Sequence, residues 1–468
     1  MAGIGFALRR LQKKETISAI VASAGHAAMI AAGPWLFTII ALASITLTAE
    51  RIAGLEVLAN FRAIVIYAFA SSLVLSAPVT MVTTRLIGDF LWLKQPEKIR
   101  PLLIGGLLIA LAAVGAGLGV LLSFFQLGLP TSLALAAMSL VVACIWVTIT
   151  FCGAVRDYSG VTMSFLVGLA VAMLGAIGLS ILGFESVGMA WAFTAGLTIT
   201  WFGLVSRVVA TFPHPVRDPL EGARAILHAF TPYWTIAVGA LLGTVGVWVD
   251  KWVFWLSPAG EAVTSGLLHS PRYDSSMFIA SLLLIPALSS FVTNLETGFF
   301  ERYQQYYATI GSHGTLTQIE TTRRRLARYT MESLALISVS LVGLAGILLL
   351  TAPIIVDALA LQFRQIAVLR FGAIGAVFQF IFIAASSMLL FFDRKRRYLY
   401  AQAAYLVLNA GFAALSIRLG EDYYGAGYLA ANLIAALIAY RMVDRTFARL
   451  NYLTFIGNNP SILATARS

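Results

Sequence analysis

The chain alternates between long apolar runs and short polar stretches. A bilayer hydrocarbon core of about 30 Å takes about 20 apolar residues in a helix. Twelve runs are of that kind: Ile17–Leu47, Ala63–Trp92, Leu102–Phe125, Ser132–Phe151, Val161–Leu182, Val187–Val209, Ile226–Leu256, Ser275–Phe300, Met331–Leu350, Phe371–Phe392, Tyr398–Ile417 and Gly427–Val443. The pattern predicts an all-α polytopic membrane protein with twelve transmembrane helices. No run is followed by a small-residue cleavage site. The first is too long for a signal-peptide core and is expected to be retained.

Composition agrees with the pattern. Of 468 residues, 59% are hydrophobic and 11% charged, against about 25% charged in soluble domains, and the mean hydropathy is +0.87. Collagen-like, disordered and nucleic-acid-binding classes are excluded. The formal net charge of +11 reads as an orientation signal. With both termini in the cytoplasm, only Arg51, Arg62, Arg272, Arg364, Arg370 and Arg418 face outward, and Lys251 falls within a span. Every other Lys and Arg stands on or next to the cytoplasmic side, as the positive-inside rule requires. The clusters Asp393–Arg397 and Arg323–Arg325 then read as membrane anchors before ligand sites. The longest cytoplasmic connection, Glu301 to Tyr329, leaves no room for a soluble domain. Cys144 and Cys152 lie in one apolar run and read as small buried residues.

A long internal repeat is visible. Gly33-Pro34-Trp35 in the first run answers to Thr231-Pro232-Tyr233-Trp234 in the seventh. Val82-Thr83, Gly88 and Phe90 in the second run answer, at one constant interval, to Val292-Thr293, Gly298 and Phe300 in the eighth. Pro78 pairs with Pro286, and Arg62 with Arg272. An even number of spans separates the copies, so the halves are parallel repeats, as in many secondary transporters. The expected organisation is a six-helix lobe over residues 1–210, a linker at 211–225, a second six-helix lobe over 226–445 and a cytoplasmic tail at 446–468.

Charge inside hydrocarbon is costly and marks function by default. Asp250 and Lys251 stand in the outer half of the seventh run. Adjacent helical residues point about 100° apart, so one can face a cavity and the other a neighbouring helix. Alternatively Lys251 snorkels outward and Asp250 pairs with an arginine at the outer mouth. Glu296, near the cytoplasmic end of the eighth run, is expected opposite Arg85 of the second. Arg62, Arg272 and Asp274 complete the candidate gating charges. Pro34, Pro78, Pro232 and Pro286 each remove a helical hydrogen bond and are candidate kinks. Trp35, Trp234 and Trp248 are candidates to stack on sugar rings, or else members of interface belts. Tyr303, Tyr306 and Tyr307, with Arg323, Arg324 and Arg325, form a candidate docking site for a soluble partner.

A Gly-rich phosphate loop and a His-Glu-x-x-His motif are both missing from the sequence. No cofactor, metal or catalytic set is expected, and an intramembrane polymerase or ligase is the poorer reading. The chain resembles the PelG family, the membrane transporters of Pel exopolysaccharide secretion. That family lies in the polysaccharide-transporter branch of the multidrug/oligosaccharidyl-lipid/polysaccharide flippase superfamily. The resemblance rests on Met1-Ala2-Gly3-Ile4-Gly5-Phe6, Gly33-Pro34-Trp35, Asp250-Lys251-Trp252, Ser270-Pro271-Arg272-Tyr273-Asp274, Ile285-Pro286-Ala287 and Glu296-Thr297-Gly298-Phe299-Phe300. It implies a two-lobed, twelve-helix transporter in a bacterial inner membrane. The implied substrate is Pel, a polysaccharide rich in N-acetylgalactosamine. The implied partners, besides membrane lipid, are a cytoplasmic glycosyltransferase using a UDP-sugar, a cyclic di-GMP receptor in the membrane and a tetratricopeptide-repeat membrane protein. An exporter of lipid-linked oligosaccharides or drugs is the alternative of the same fold.

Overall fold

The computed structural model describes residues 38–457 apart from 39, 47, 50, 51 and 156. Among these, eleven helical stretches are long and apolar enough to cross a membrane. They coincide with eleven of the twelve expected runs. The first, Ile17–Leu47, falls mostly outside the described residues, as do Pro34 and Trp35.

The described residues form two compact units that divide between Asp274 and Ser275. The expected linker at 211–225 therefore lies inside the first unit. That unit holds α1 (Leu55–Trp92), α2 (Ile99–Phe124), α3 (Leu129–Val155), α4 (Tyr158–Ile181), α5 (Ser186–Thr211) and α6 (Glu221–Trp255). A short antiparallel hairpin follows, β1 (Glu261–Ala262) paired with β2 (Leu268–His269). Helix α1 is central and packs on α2, α3, α5 and α6. Its buried face, with Leu58, Phe61 and Ile64, meets residues such as Leu135 of α3 and Phe193 of α5 in one apolar core. Phe61 and Phe193 meet edge to face at 5.8 Å, the arrangement aromatic quadrupoles favour. Helices α2 and α6 touch backbone to backbone at Gly105 and Gly222, where any Cβ would collide with the other helix. Small residues at such crossings let membrane helices approach closely enough for dispersion to hold them. Both cysteines are free and buried, as their apolar setting implies.

The second unit holds most of α7 (Pro271–Ser281), then α8 (Leu284–Asn294), a π-turn (Leu295–Phe299), α9 (Phe300–Gly311), α10 (Leu316–Ala358), α11 (Gln365–Phe391), α12 (Lys395–Leu419) and α13 (Ala426–Ala448). The eighth run, expected as one span, is broken twice. Pro286 cannot donate to the carbonyl of Leu282, and the chain tightens there into i→i+3 bonds such as Ile285 N–H to Leu282 O at 3.1 Å. Pro78 and Pro232 are instead absorbed inside continuous helices α1 and α6. So is Pro353 of α10, which sequence inspection did not single out.

The connection from Glu301 to Tyr329, expected as a loop, is helical. A capping box starts α10: the Thr315 hydroxyl accepts from the Gln318 N–H, and the Gln318 side chain accepts from the Thr315 N–H at 2.9 Å. At about 1.5 Å per residue α10 is about 65 Å long, twice what the hydrocarbon core needs. Helices α11, α12 and α13 are joined by neutral polar contacts deep in the bundle. Tyr428 of α13 donates to Gln379 of α11, and Gln379 donates to the Tyr405 hydroxyl of α12 at 3.4 Å. Interhelical hydrogen bonds of this kind specify partners where lipid leaves no hydrophobic drive.

Candidate functional site

At the C-terminal end of α6, Asp250 is fully buried, with 0% of its surface exposed. Its carboxylate accepts from the Lys251 ammonium at 3.1 and 3.2 Å and from the Tyr273 hydroxyl at 2.7 Å. The two charges thus pair with each other. The flexible four-carbon stem of Lys251 folds back along α6, which brings its ammonium within 3.3 Å of the Val247 carbonyl. Phe254 stacks on Tyr273 with ring centroids 3.8 Å apart, shielding the pair from the side. Trp248 is half-buried, its ring centroid 6.0 Å from that ammonium, and its indole N–H is buried without a hydrogen-bond partner.

Asp274 works as a knot beside this pair. It accepts from the Trp255 indole at 2.8 Å and from the Ser270 N–H at 2.9 Å. Trp255 in turn stacks on Tyr67 of α1 at 4.9 Å and 20°. The Tyr67 hydroxyl donates to the Leu268 carbonyl at 2.9 Å and accepts from the Leu268 N–H at 3.2 Å. Asn60 accepts from the Ser265 N–H at 3.0 Å, and Glu56 accepts from the Thr264 hydroxyl. The hairpin is therefore tied to one side of α1 over three turns. Burial holds the His269 imidazole below its ordinary pKa of 6.5, with the Arg62 charge acting in the same direction and Glu261 opposing. Arg272 occupies the first turn of α7.

Inside this frame lies a groove of about 630 Å³ between α1, α2, the end of α6 and β2. Tyr67, Phe124, Phe125, Trp252 and Trp255 supply its aromatic walls, and among the described residues no charged side chain lines it. Its volume falls in the range of small-molecule sites.

A second polar cluster closes the far end of the same helix pair. Asp89 of α1 accepts from the Tyr233 hydroxyl of α6 at 3.0 Å. Arg85 stands 3.9 Å from Asp89 and 5.7 Å from the centroid of the Tyr233 ring. Arg85 and Asp89 keep 43% and 39% of their side chains exposed, and Trp234 keeps 55%. The expected partner of Arg85, Glu296, sits in the π-turn, but its side chain lies outside what is described. Beside it, Gly298 lets the Tyr329 ring lie against the backbone, where a Cβ would collide with the phenol. Tyr329 donates to Asn294 at 3.2 Å and carries the Arg302 guanidinium 3.7 Å above its ring.

The candidate docking residues separate into two groups. Tyr306 is buried and donates to Asn451 at 2.9 Å. Arg323 grips Glu320 at 2.6 Å and the Phe447 carbonyl at 2.7 Å. Both therefore tie α9 and α10 to the C-terminal helices. Tyr303 and Tyr307 are half-buried with rings 4.7 Å apart, and Arg324 and Arg325 are exposed.

Sequence inspection missed Asp89, Tyr233, Tyr67 and Tyr273. Asp89 stood in plain view, an ionisable residue inside the second run and one helical turn after Arg85. The two tyrosines of α1 and α6 carry no such signal, since aromatic residues fill every run.

The family described as "PelG: Putative exopolysaccharide Exporter (EPS-E)" matches residues 1–455. No curated protein matches the chain. Among solved structures, the chain is similar to a multidrug resistance MATE family transporter of the MOP superfamily in its outward-facing conformation. That likeness has 16% identity and a TM-score of 0.65, over 91% of this chain and 96% of that one. The inward-facing conformation of such a transporter aligns with 16% identity and a TM-score of 0.61, over 91% and 99%. A MOP superfamily transporter from Pyrococcus furiosus aligns with 16% identity and a TM-score of 0.63, over 91% and 96%. At these identities the likeness concerns the fold.

Proposed function

The chain belongs to the PelG exopolysaccharide-exporter family, and on that premise we propose that it carries the Pel polysaccharide across a bacterial inner membrane without itself catalysing polymer synthesis. The observation that carries this reading is the groove of about 630 Å³ with five aromatic walls and, among the described residues, no charged lining. Sugar rings present apolar C–H faces to aromatic planes and hydroxyl edges to polar groups, so a neutral sugar chain suits such a surface. Both termini face the cytoplasm in this reading, which keeps the basic residues on that side.

The expected partners follow from the family and from the exposed α9–α10 region. A cytoplasmic glycosyltransferase using a UDP-sugar would feed polymer to the transporter. A cyclic di-GMP receptor and a tetratricopeptide-repeat membrane protein would complete the secretion complex. Tyr303, Tyr307, Arg324 and Arg325 are the residues left for docking once Tyr306 and Arg323 are committed to the fold.

The test is Trp252→Ala, with Trp252→Phe as the conservative partner. Trp252→Ala should cut secreted polymer at least about tenfold at unchanged membrane level, while Trp252→Phe retains secretion. Full secretion by Trp252→Ala overturns the reading. The fold shared with multidrug transporters supports one second reading, export of drugs or lipid-linked oligosaccharides. Accumulation of polyprenyl-linked intermediates on deletion would favour it.

A further inference from the structure

The two polar clusters of the first unit lie on one seam. Helix α1 runs without interruption from Leu55 to Trp92, and α6 from Glu221 to Trp255. They meet at Tyr67 with Trp255 and again at Asp89 with Tyr233. The stretch Tyr67–Asp89, matched on α6 by Tyr233–Trp255, is about 33 Å long at about 1.5 Å per residue. That is close to the thickness of the hydrocarbon core.

The side chains repeat in register along it. Tyr67 and Arg85 are about five turns apart at about 3.6 residues per turn, so they share one face of α1. Ser71 and Val74, which line the groove, stand on that face between them. Trp234 and Trp252 share one face of α6 for the same reason, and Trp248 and Trp255 fall on it too. The seam thus carries aromatic planes along α6, and on α1 Tyr67 and Ser71 at one end with Arg85 and Asp89 at the other.

We propose that the Asp89–Tyr233–Arg85 cluster is a second saccharide subsite, at the opposite end of the α1–α6 seam from the aromatic groove. The ligand class is a neutral sugar residue bearing hydroxyl and acetamido groups. This rests on the export reading and deepens it. Asp89 is half-exposed, and its carboxylate has about four acceptor sites, of which Tyr233 occupies one at 3.0 Å. The rest can accept from vicinal hydroxyls. The exposed guanidinium of Arg85 donates to ring or carbonyl oxygens. The Tyr233 ring, whose hydroxyl is bonded to Asp89, is the aromatic plane at this site. Pro232 leaves the His228 carbonyl without its helical donor, adding one more acceptor a turn away. The pairing of a planar carboxylate with an aromatic face is suited to a sugar's two chemically different sides.

Two subsites on one rigid seam make binding length-dependent. A chain long enough to span them binds the second intramolecularly, and such linkage raises affinity by about 10² to 10⁴. The experiment uses the full-length protein in lipid nanodiscs, with size-fractionated N-acetylgalactosamine oligomers as probes and tryptophan fluorescence plus calorimetry as readouts. Wild type should bind short oligomers weakly and show a rise of about 100-fold or more once the oligomer can span about 33 Å. Asp89→Ala and, separately, Tyr233→Phe should abolish the rise while leaving short-oligomer binding intact. Trp252→Ala should weaken short-oligomer binding. If wild type binds short oligomers with no length step, or if both seam variants keep the step, the second subsite is overturned and the groove stands. If no oligomer binds at any length, the saccharide reading of both ends is overturned. Tyr233→Phe keeps the aromatic packing and guards against a folding defect from Asp89→Ala.

Discussion

Asp250 and Lys251 offer a double-mutant cycle whose outcome reverses intuition. Asp250 has 0% of its side chain exposed and Lys251 23%. At 3.1 Å and an effective dielectric of about 20, their gross attraction is about 5 kcal/mol, before the cost of desolvating both. Lys251→Ala strands a carboxylate that cannot reach water, and should cost about 3–5 kcal/mol. Asp250→Ala strands an ammonium with partial access to solvent, so its cost belongs at about 2–3 kcal/mol. The double variant removes both charges and leaves only the Tyr273 hydroxyl without its acceptor, about 1–3 kcal/mol. The double variant should therefore be more stable than Lys251→Ala alone, with a coupling of about 4–5 kcal/mol. Sodium dodecyl sulfate titration in mixed micelles, followed by tryptophan fluorescence, reads this directly because Trp248, Trp252 and Trp255 surround the pair in sequence. If the double variant's loss equals the sum of the two single losses within about 0.5 kcal/mol, the pair does not act as described.

Three further outcomes follow from the geometry. Gly298→Ala pushes a methyl into the Tyr329 phenol and should cost about 1–3 kcal/mol in the same titration, with Gly298→Ala/Tyr329→Phe partly restored; equal losses in single and double variants would refute the contact. Tyr67→Phe leaves both the N–H and the carbonyl of Leu268 without their partner and should speed amide exchange at residues 261–269, whereas unchanged exchange would show that the hydroxyl does not tie the hairpin. His269 has its pKa lowered chiefly by burial, so the docked hairpin favours the neutral ring; docking should be complete above about pH 6.5 and weaken as pH falls below it. His269→Gln should flatten that dependence between pH 5 and 8, and a wild-type hairpin protected equally at both ends of the range would refute the assignment.

The spans were legible because a helix must be apolar over its whole bilayer length, a demand composition cannot hide. The break at Pro286 was legible for a similar reason, since a missing N–H is a local property. Pro78 and Pro232 carry the same defect yet sit in unbroken helices, and the difference depends on packing that no single residue reveals. Asp250 and Lys251 were singled out by cost, because charge in an apolar run stands out, and Asp274 by its place among the charges of the outer mouth. Their partners Tyr273, Trp255 and Tyr67 were not found. Each is an aromatic residue among many, and its role depends on which hydroxyl or indole meets which carboxylate in three dimensions. The helical character of 300–330 was signalled by Thr315-x-x-Gln318, a capping box that hydropathy alone passes over.

The tie between the hairpin and α1 has a practical consequence for anyone labelling this protein. Ser257–Ser270 reads as a dispensable surface loop, yet its backbone is anchored at Ser265 and Leu268, so a tag inserted there would pry it from α1. Among the described residues, the turn at Ser312–Gly314 bonds only to its own neighbours and joins two helices already clamped through Tyr306 and Arg323. An epitope or fluorophore belongs at that turn.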